Sequence, residues 1–226
     1  VIGHGAEQVQ AYLSKDFPKV QTAIQAEQKG TGHAVLQASS FLTNAGTTIV
    51  LYGDVPLIQA DTLQQLQQLA EDGGLVVLTQ WMDNPTGYGR IVRNVNGEVV
   101  GIVEEKDAST SQKEIKEINT GMMACNTADL KRWLGLLQPN NAQGEYYLTD
   151  IIALAAQENV PIRTTQAKFG WEVQGVNSRS QLAALEREYQ SFLASNLLES
   201  GVTLADPARI DIRGTLRALI STGSGT

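Results

Sequence analysis

Along the chain, apolar and polar positions follow two rhythms, one of strands and one of helices. Residues 47–52, Thr-Thr-Ile-Val-Leu-Tyr, end in Gly53-Asp54-Val55-Pro56 and predict a strand buried on both faces that empties into a polar loop. Asp61 is placed to cap a helix with Leu63, Leu66, Leu69 and Ala70 on one face. Gly73-Gly74 stop that helix, and residues 75–78 predict the next strand, which makes a βαβ unit. Beyond the loop-forming Asn84-Pro85-Thr86-Gly87-Tyr88-Gly89, segments 90–95 and 98–104 flank Asn96-Gly97 and predict an antiparallel hairpin. Residues 117–125 predict a further strand, followed by a helix capped by Asn126 or Thr127 and carrying Leu130, Trp133, Leu134 and Leu137. A helical period over 146–157, a short strand over 161–166 and a long helix over 178–200 complete the rhythm, while residues 1–5 read as the end of a strand running into a loop.

Strands alternating with helices, broken by one hairpin, indicate an α/β chain. The rhythm is lost after Gly201, where residues 202–214 show short alternations and no helical stripe. These are expected to start a parallel β-helix, of which barely one coil is present. Ser221-Thr222-Gly223-Ser224-Gly225-Thr226 reads as a tail. The expected organisation is a main domain over 1–200, the start of a β-helix over 201–216 and a disordered tail over 217–226.

Composition narrows the classes. The 226 residues carry 24 acidic and 17 basic side chains, a net charge of -7, which leaves no footprint for gripping nucleic acid or an anionic membrane. Phosphate-bearing ligands therefore need local help. Cys125, the single cysteine, has no internal disulfide partner, and with no neighbouring base in the sequence it reads as a small buried core residue rather than a nucleophile. No stretch approaches the ~18 apolar residues of a membrane span. A cytoplasmic location is expected. His4 and His33 are far apart with no third partner in view, so no zinc site is assigned.

Asp54 follows a buried strand and so is presented at the carboxyl end, where open α/β sheets bind ligands. One Asp with an amide oxygen and substrate phosphates suffices for Mg²⁺, and Asn177, at a strand-to-helix junction, is a candidate second ligand. The plainer assignments are a turn residue for Asp54 and a helix cap for Asn177. Around Gly30-Thr31-Gly32-His33, backbone N–H groups precede a helix and meet either a polar ligand or only a tight turn. Glu104, Asn119 and the Gly87-Tyr88-Gly89 loop offer a carboxylate, an amide and a free N–H, a set that suits sugar hydroxyls.

Taken in order, Gly3-His4-Gly5, residues 25–28 (Gln-Ala-Glu-Gln), residues 30–33 (Gly-Thr-Gly-His), residues 51–56 (Leu-Tyr-Gly-Asp-Val-Pro), residues 85–89 (Pro-Thr-Gly-Tyr-Gly), residues 117–121 (Glu-Ile-Asn-Thr-Gly), residues 141–147 (Asn-Ala-Gln-Gly-Glu-Tyr-Tyr) and Gly175-Val176-Asn177 closely resemble the bacterial N-acetylglucosamine-1-phosphate uridyltransferases. The match spans nearly the whole chain. It implies a Rossmann-like, GT-A-like nucleotidyltransferase fold: a mixed sheet flanked by helices, with a long C-terminal helix and a stub of left-handed parallel β-helix. It also implies a pyrophosphorylase domain without its N-terminal glycine-rich segment and without nearly all of the acetyltransferase domain, so neither acetyl-CoA nor the family's homotrimer is carried over.

By the same resemblance Gln25, Gly30 and Thr31 read uracil and the nearby nucleotide, and Tyr52, Gly53 and Asp54 floor the site. Gly89, Glu104 and Asn119 contact the N-acetylglucosamine, while Asp54 and Asn177 hold Mg²⁺. The implied reaction joins UTP to N-acetylglucosamine 1-phosphate, giving UDP-N-acetylglucosamine and pyrophosphate for peptidoglycan and lipopolysaccharide precursors. Two rivals stand beside it: a pyrophosphorylase for another hexose 1-phosphate, and a non-catalytic remnant that binds UDP-sugar.

Overall fold

A computed structural model describes residues 1–214 and 216; the tail expected over 217–226 lies outside the described residues. The longest strand, β5 (Glu117–Asn126), has buried residues at nearly every position and is the spine of a mixed sheet. Along one edge it pairs antiparallel with β2 (Leu75–Trp81). Along the other it pairs antiparallel with β3 (Gly89–Arg93) at its start and β1 (Thr47–Val50) at its end. The hairpin partner β4 (Val99–Val103) extends the sheet beyond β3, and β6 (Ile162–Gln166) runs parallel to β2. Since β1 and β2 are both antiparallel to β5, they are parallel to each other. The expected βαβ crossover through α3 (Ala60–Glu71) is present, with β5 inserted between its strands.

Alternation divides the strands between two layers. Leu75 and Val77 of β2 and Met123 and Cys125 of β5 join a core with Leu130 and Trp133 of α5 (Thr127–Leu134) and Ile151 and Ile152 of α6 (Ile151–Gln157). Trp133 is wholly buried, and its Nε1 donates to Glu158 Oε2 at 3.0 Å. The intervening Val76, Leu78, Met122 and Ala124 are equally buried; α3, which packs on β2 and β5, contributes Leu66 and Ala70. These elements, with α1 (Ala6–Asp16), α2 (Thr31–Gln37) and the short α4 (Thr110–Lys113), form a compact unit of Val1–Tyr52 and Gln59–Lys168.

A second unit takes Gly53–Ile58 and the chain from Phe169 onward. Its long helix α7 (Arg179–Glu199) starts at Ser178, whose hydroxyl accepts from Gln181 N at 3.2 Å. Tyr189 and Phe192 of α7 pack against Phe169 and Trp171.

Four local expectations are corrected. The strand at 47–52 ends at Val50 and is half-buried throughout, because β1 pairs with β5 alone. Asp61 does not cap α3: Gln59 holds that position, and Asp61 lies in the first turn, where its charge still faces the positive end of the helix. The hairpin connection is residues 94–98 rather than a two-residue Asn-Gly turn. There Asn94 Oδ1 accepts from Asn96 N and Glu98 N, and only Gly97 has positive φ. The helix expected from 146 begins with a 3-10 turn at Leu148, since the backbone of Tyr146 is bonded to Lys29 and Gly32 and Tyr147 is extended. The β-helix stub expected over 201–216 is not confirmed by the described residues. That segment contains a 3-10 turn, Pro207–Arg209, and Ile212 N and O bond the side-chain amide of buried Gln190 at 2.7 and 3.1 Å. Among the described residues no helix is long and apolar enough to cross a membrane.

Candidate active site

One wall of a cleft in the first unit is built where residues 29–32 lie along Tyr146. Tyr146 N donates to Lys29 O and Gly32 N to Tyr146 O, both at 2.8 Å, and Leu148 N donates to Thr31 Oγ1 at 3.0 Å. Gly30 has φ +100°, and a Cβ there would stand 2.6 Å from Tyr146 O, so only glycine allows the approach. Its carbonyl accepts from Gln25 Nε2 at 3.1 Å.

The other wall rests on a bulge in β5. Pairing with β2 slips between Val77 opposite Met123 and Thr79 opposite Asn119, so β5 carries extra residues around Gly121. Side chains replace the interrupted ladder. Asn119 Oδ1 accepts from Gly121 N at 2.9 Å, and Thr120 Oγ1 donates to Leu78 O at 2.7 Å. Gly121 has φ +84°, and a Cβ there would come within 2.5 Å of the Tyr52 ring. Gly89 faces Asn119 across the β3–β5 ladder, and a Cβ on it would stand 3.1 Å from Glu104 Oε2. Glu104 Oε1 accepts from Thr149 Oγ1 at 3.0 Å.

The cleft so formed has a volume of about 630 Å³, and of the ten candidate residues it is lined by Gln25, Gly30, Thr31, Tyr52, Gly89, Glu104 and Asn119. Gly53, Asp54 and Asn177 belong to the second unit. There Val176 N donates to Asp54 O at 2.8 Å, which brings the Asp54 backbone next to Asn177; both side chains are exposed. Asn177 does not cap α7, which Ser178 does.

Burial holds the Glu104 carboxyl above the ordinary carboxylate range. The Thr149 hydrogen bond works the other way, and the charges of Asp107 and Asp150 add to the rise. Asp150 is raised too, by burial and then by Asp107. Such a site accepts a proton, or a hydroxyl hydrogen, more readily than free carboxylate does. A folded-state value above the unfolded one means that the native protein binds the proton more tightly. Stability is therefore greatest below the unfolded Glu value and falls as pH rises through the folded one. Glu104→Gln is expected to raise the melting temperature at pH 7 and to flatten its dependence on pH just above the usual Glu value; an unchanged slope would refute the assignment.

Two residues at the site, Thr149 in the lining and Arg90, were not singled out from the sequence. Thr149 matters through its partner Glu104, 45 positions away. Arg90 is buried behind the cleft, ion-paired with Glu105 at 2.7 Å, and it donates to the backbone carbonyl of Tyr88. An arginine inside an apolar strand, beside the glycine loop, was the available sign. Burial pushes the Cys125 thiol up to about 12, which fits a core residue and not a nucleophile.

Residues 4–175 match the family model described as nucleotidyl transferase. The "Bifunctional protein GlmU" of Burkholderia vietnamiensis is 58% identical over 217 residues, covering 96% of this chain and 48% of that protein. The protein of the same name from Dechloromonas aromatica is 59% identical over 216 residues, covering 96% and 47%. The chain thus spans about half the length of these relatives. Among solved structures, a UDP-glucose pyrophosphorylase complexed with UDP-glucose superposes with TM-score 0.60 at 18% identity, over 74% of this chain and 72% of that one. HddC from Yersinia pseudotuberculosis, complexed with GMP-PN, gives TM-score 0.51 at 17% identity over 76% and 73%. At these identities the structural likeness speaks for the fold alone.

Proposed function

The chain belongs to the nucleotidyl transferase family, and from that premise we propose that it serves uridylyl transfer from UTP to N-acetylglucosamine 1-phosphate. The observation that carries this reading is the cleft itself. It is lined at once by the Gln25–Thr31 turn, with its amide and backbone groups, and by Glu104, Asn119 and Gly89. The first set suits a flat base with its own donors and acceptors, the second a polyol. The printed name of relatives nearly 60% identical over this region supports the same choice.

In the reaction the sugar 1-phosphate oxygen attacks the α-phosphorus of UTP, and the bond to pyrophosphate breaks. Little covalent work falls to the protein, so positioning dominates. Glu104, oriented by Thr149, accepts from a sugar hydroxyl. Asn119, whose Oδ1 is tied to Gly121 N, offers its amide hydrogens. Gly89 leaves room beside Glu104 that a side chain would fill. The exposed carboxylate of Asp54 and the amide oxygen of Asn177 are hard donors of the kind Mg²⁺ takes, in one unit and joined by the Asp54–Val176 backbone bond. Bound there, Mg²⁺ would neutralise phosphate charge, which a chain of net charge -7 needs. We propose the domain boundary near Gly201, a cytoplasmic setting and peptidoglycan and lipopolysaccharide precursor supply on the same footing.

Calorimetric titration of the chain with UDP-N-acetylglucosamine and with UDP-glucose, each with and without Mg²⁺, tests the reading. Saturable binding that favours the N-acetylated sugar is expected. A preference for UDP-glucose would move the assignment to another hexose 1-phosphate, and turnover that never accompanies binding would favour the non-catalytic reading.

A further inference from the structure

At the Glu104 side of the cleft the β3–β4 ladder comes to an end. Its register runs from Arg93 opposite Val99 to Arg90 opposite Val103 and stops there. Immediately beyond lie Tyr88 and Gly89 on one side and Glu104 and Glu105 on the other, and all four line the cleft. The two sides nearly touch, since a Cβ on Gly89 would stand 3.1 Å from Glu104 Oε2. Past the last ladder pair, the tie between them is a side chain. Arg90 is 1% exposed and does not itself line the cleft. Its Nη1 donates to the Tyr88 carbonyl, and its Nη2 stands 2.7 Å from Glu105 Oε2 and 3.4 Å from the Lys113 carbonyl. Among the described residues Glu105 Oε2 and Arg90 Nε make no hydrogen bond, so the attraction of opposite charges, rather than an aligned donor, draws Glu105 in.

Packing alone does not call for such a group. A buried ion pair adds little stability over apolar side chains of the same volume, because both charges must leave water. What it adds is a defined geometry. We propose that Arg90 is a positioning residue for the sugar end of the cleft: it clamps the Tyr88–Gly89 backbone to the segment carrying Glu104 and so fixes the gap into which the sugar fits. Glu104 accepts from a sugar hydroxyl only at the right separation from Gly89, and the clamp sets that separation from behind. Without it the loop and the Glu104 segment part more easily, and the sugar loses contacts that the nucleotide, at the Gln25 end, keeps. This inference rests on the reading of Gly89 and Glu104 as sugar contacts.

The test measures UDP-N-acetylglucosamine and UDP binding by calorimetry on the whole chain, for wild type, Arg90→Met, Glu105→Gln and Leu66→Ala. Leu66 is a buried core residue outside the cleft, and its variant controls for lost stability. The ratio of the two affinities reports what the sugar contributes. It is expected to fall roughly tenfold in Arg90→Met and by less in Glu105→Gln, with UDP binding kept in both and the ratio unchanged in Leu66→Ala. Should Arg90→Met fail to fold, Glu105→Gln decides, because that side chain is 27% exposed and glutamine keeps its volume while removing its charge. A ratio kept in both clamp variants, or lowered equally in Leu66→Ala, overturns the positioning role while leaving the reading of the site intact. A wild-type chain that binds UDP-N-acetylglucosamine no more tightly than UDP removes that reading, and the inference with it.

Discussion

Alanine at Gly121 is expected to lower the unfolding free energy by about 2–4 kcal/mol and to weaken binding in the cleft in the same step. Two costs combine. The backbone sits at φ +84°, where an L side chain is strained, and the new Cβ would stand 2.5 Å from the Tyr52 ring. The ring must move, and it lines the cleft. Relief by shifting the backbone would disturb the hydrogen bond from Gly121 N to Asn119 Oδ1, which sets the Asn119 side chain. Urea denaturation gives the first number and UDP-N-acetylglucosamine titration the second. A variant of wild-type stability would mean that the bulge is soft, and weakened binding without lost stability would place the effect on Tyr52 alone.

The other large effect is expected at Asp54. Asp54→Ala should leave stability within about 0.5 kcal/mol, because the side chain is exposed. Mg²⁺-dependent turnover should fall by a factor on the order of 10²–10³, or the Mg²⁺ dependence of ligand binding should vanish where binding is followed instead. Asn177→Ala should do less, since a neutral amide is the weaker donor and water replaces it readily. Thermal unfolding and a Mg²⁺ titration of each variant separate the two quantities. Unchanged metal dependence in Asp54→Ala would refute the ligand assignment.

How much of this was legible in the sequence varied with the range of the interaction. Elements set by local period and capping were: the α5 stripe of Leu130, Trp133 and Leu134 with its Asn126 cap, and the long helix that follows Asn177, are present in the structure. What depended on distant partners was not. The half-buried β1 reads as a fully buried strand because its residue types are the same, and only its place beside the end of β5 decides the matter. The bulge left one trace, Gly121 within an apolar strand, and a glycine inside such a run marks a bulge or a close approach. Here it marks both. The cleft residues that ordered motifs identified lie together, whereas Thr149 and Arg90 act through partners the sequence does not mark: a carboxylate 45 positions upstream, and Glu105 with the Tyr88 carbonyl.

The central position of β5 has a consequence for how the chain comes into being. β1, β2 and β3 all precede β5 in the sequence, and each pairs with it. During synthesis they therefore leave the ribosome as strands without their common neighbour, and β1 waits for a partner 79 positions further on, at Thr47 opposite Asn126. Closing so long a loop is slow, and apolar edges stay open to chaperones and to aggregation in the interval. Nascent chains halted before residue 117 should bind holdases that chains released beyond residue 166 no longer need.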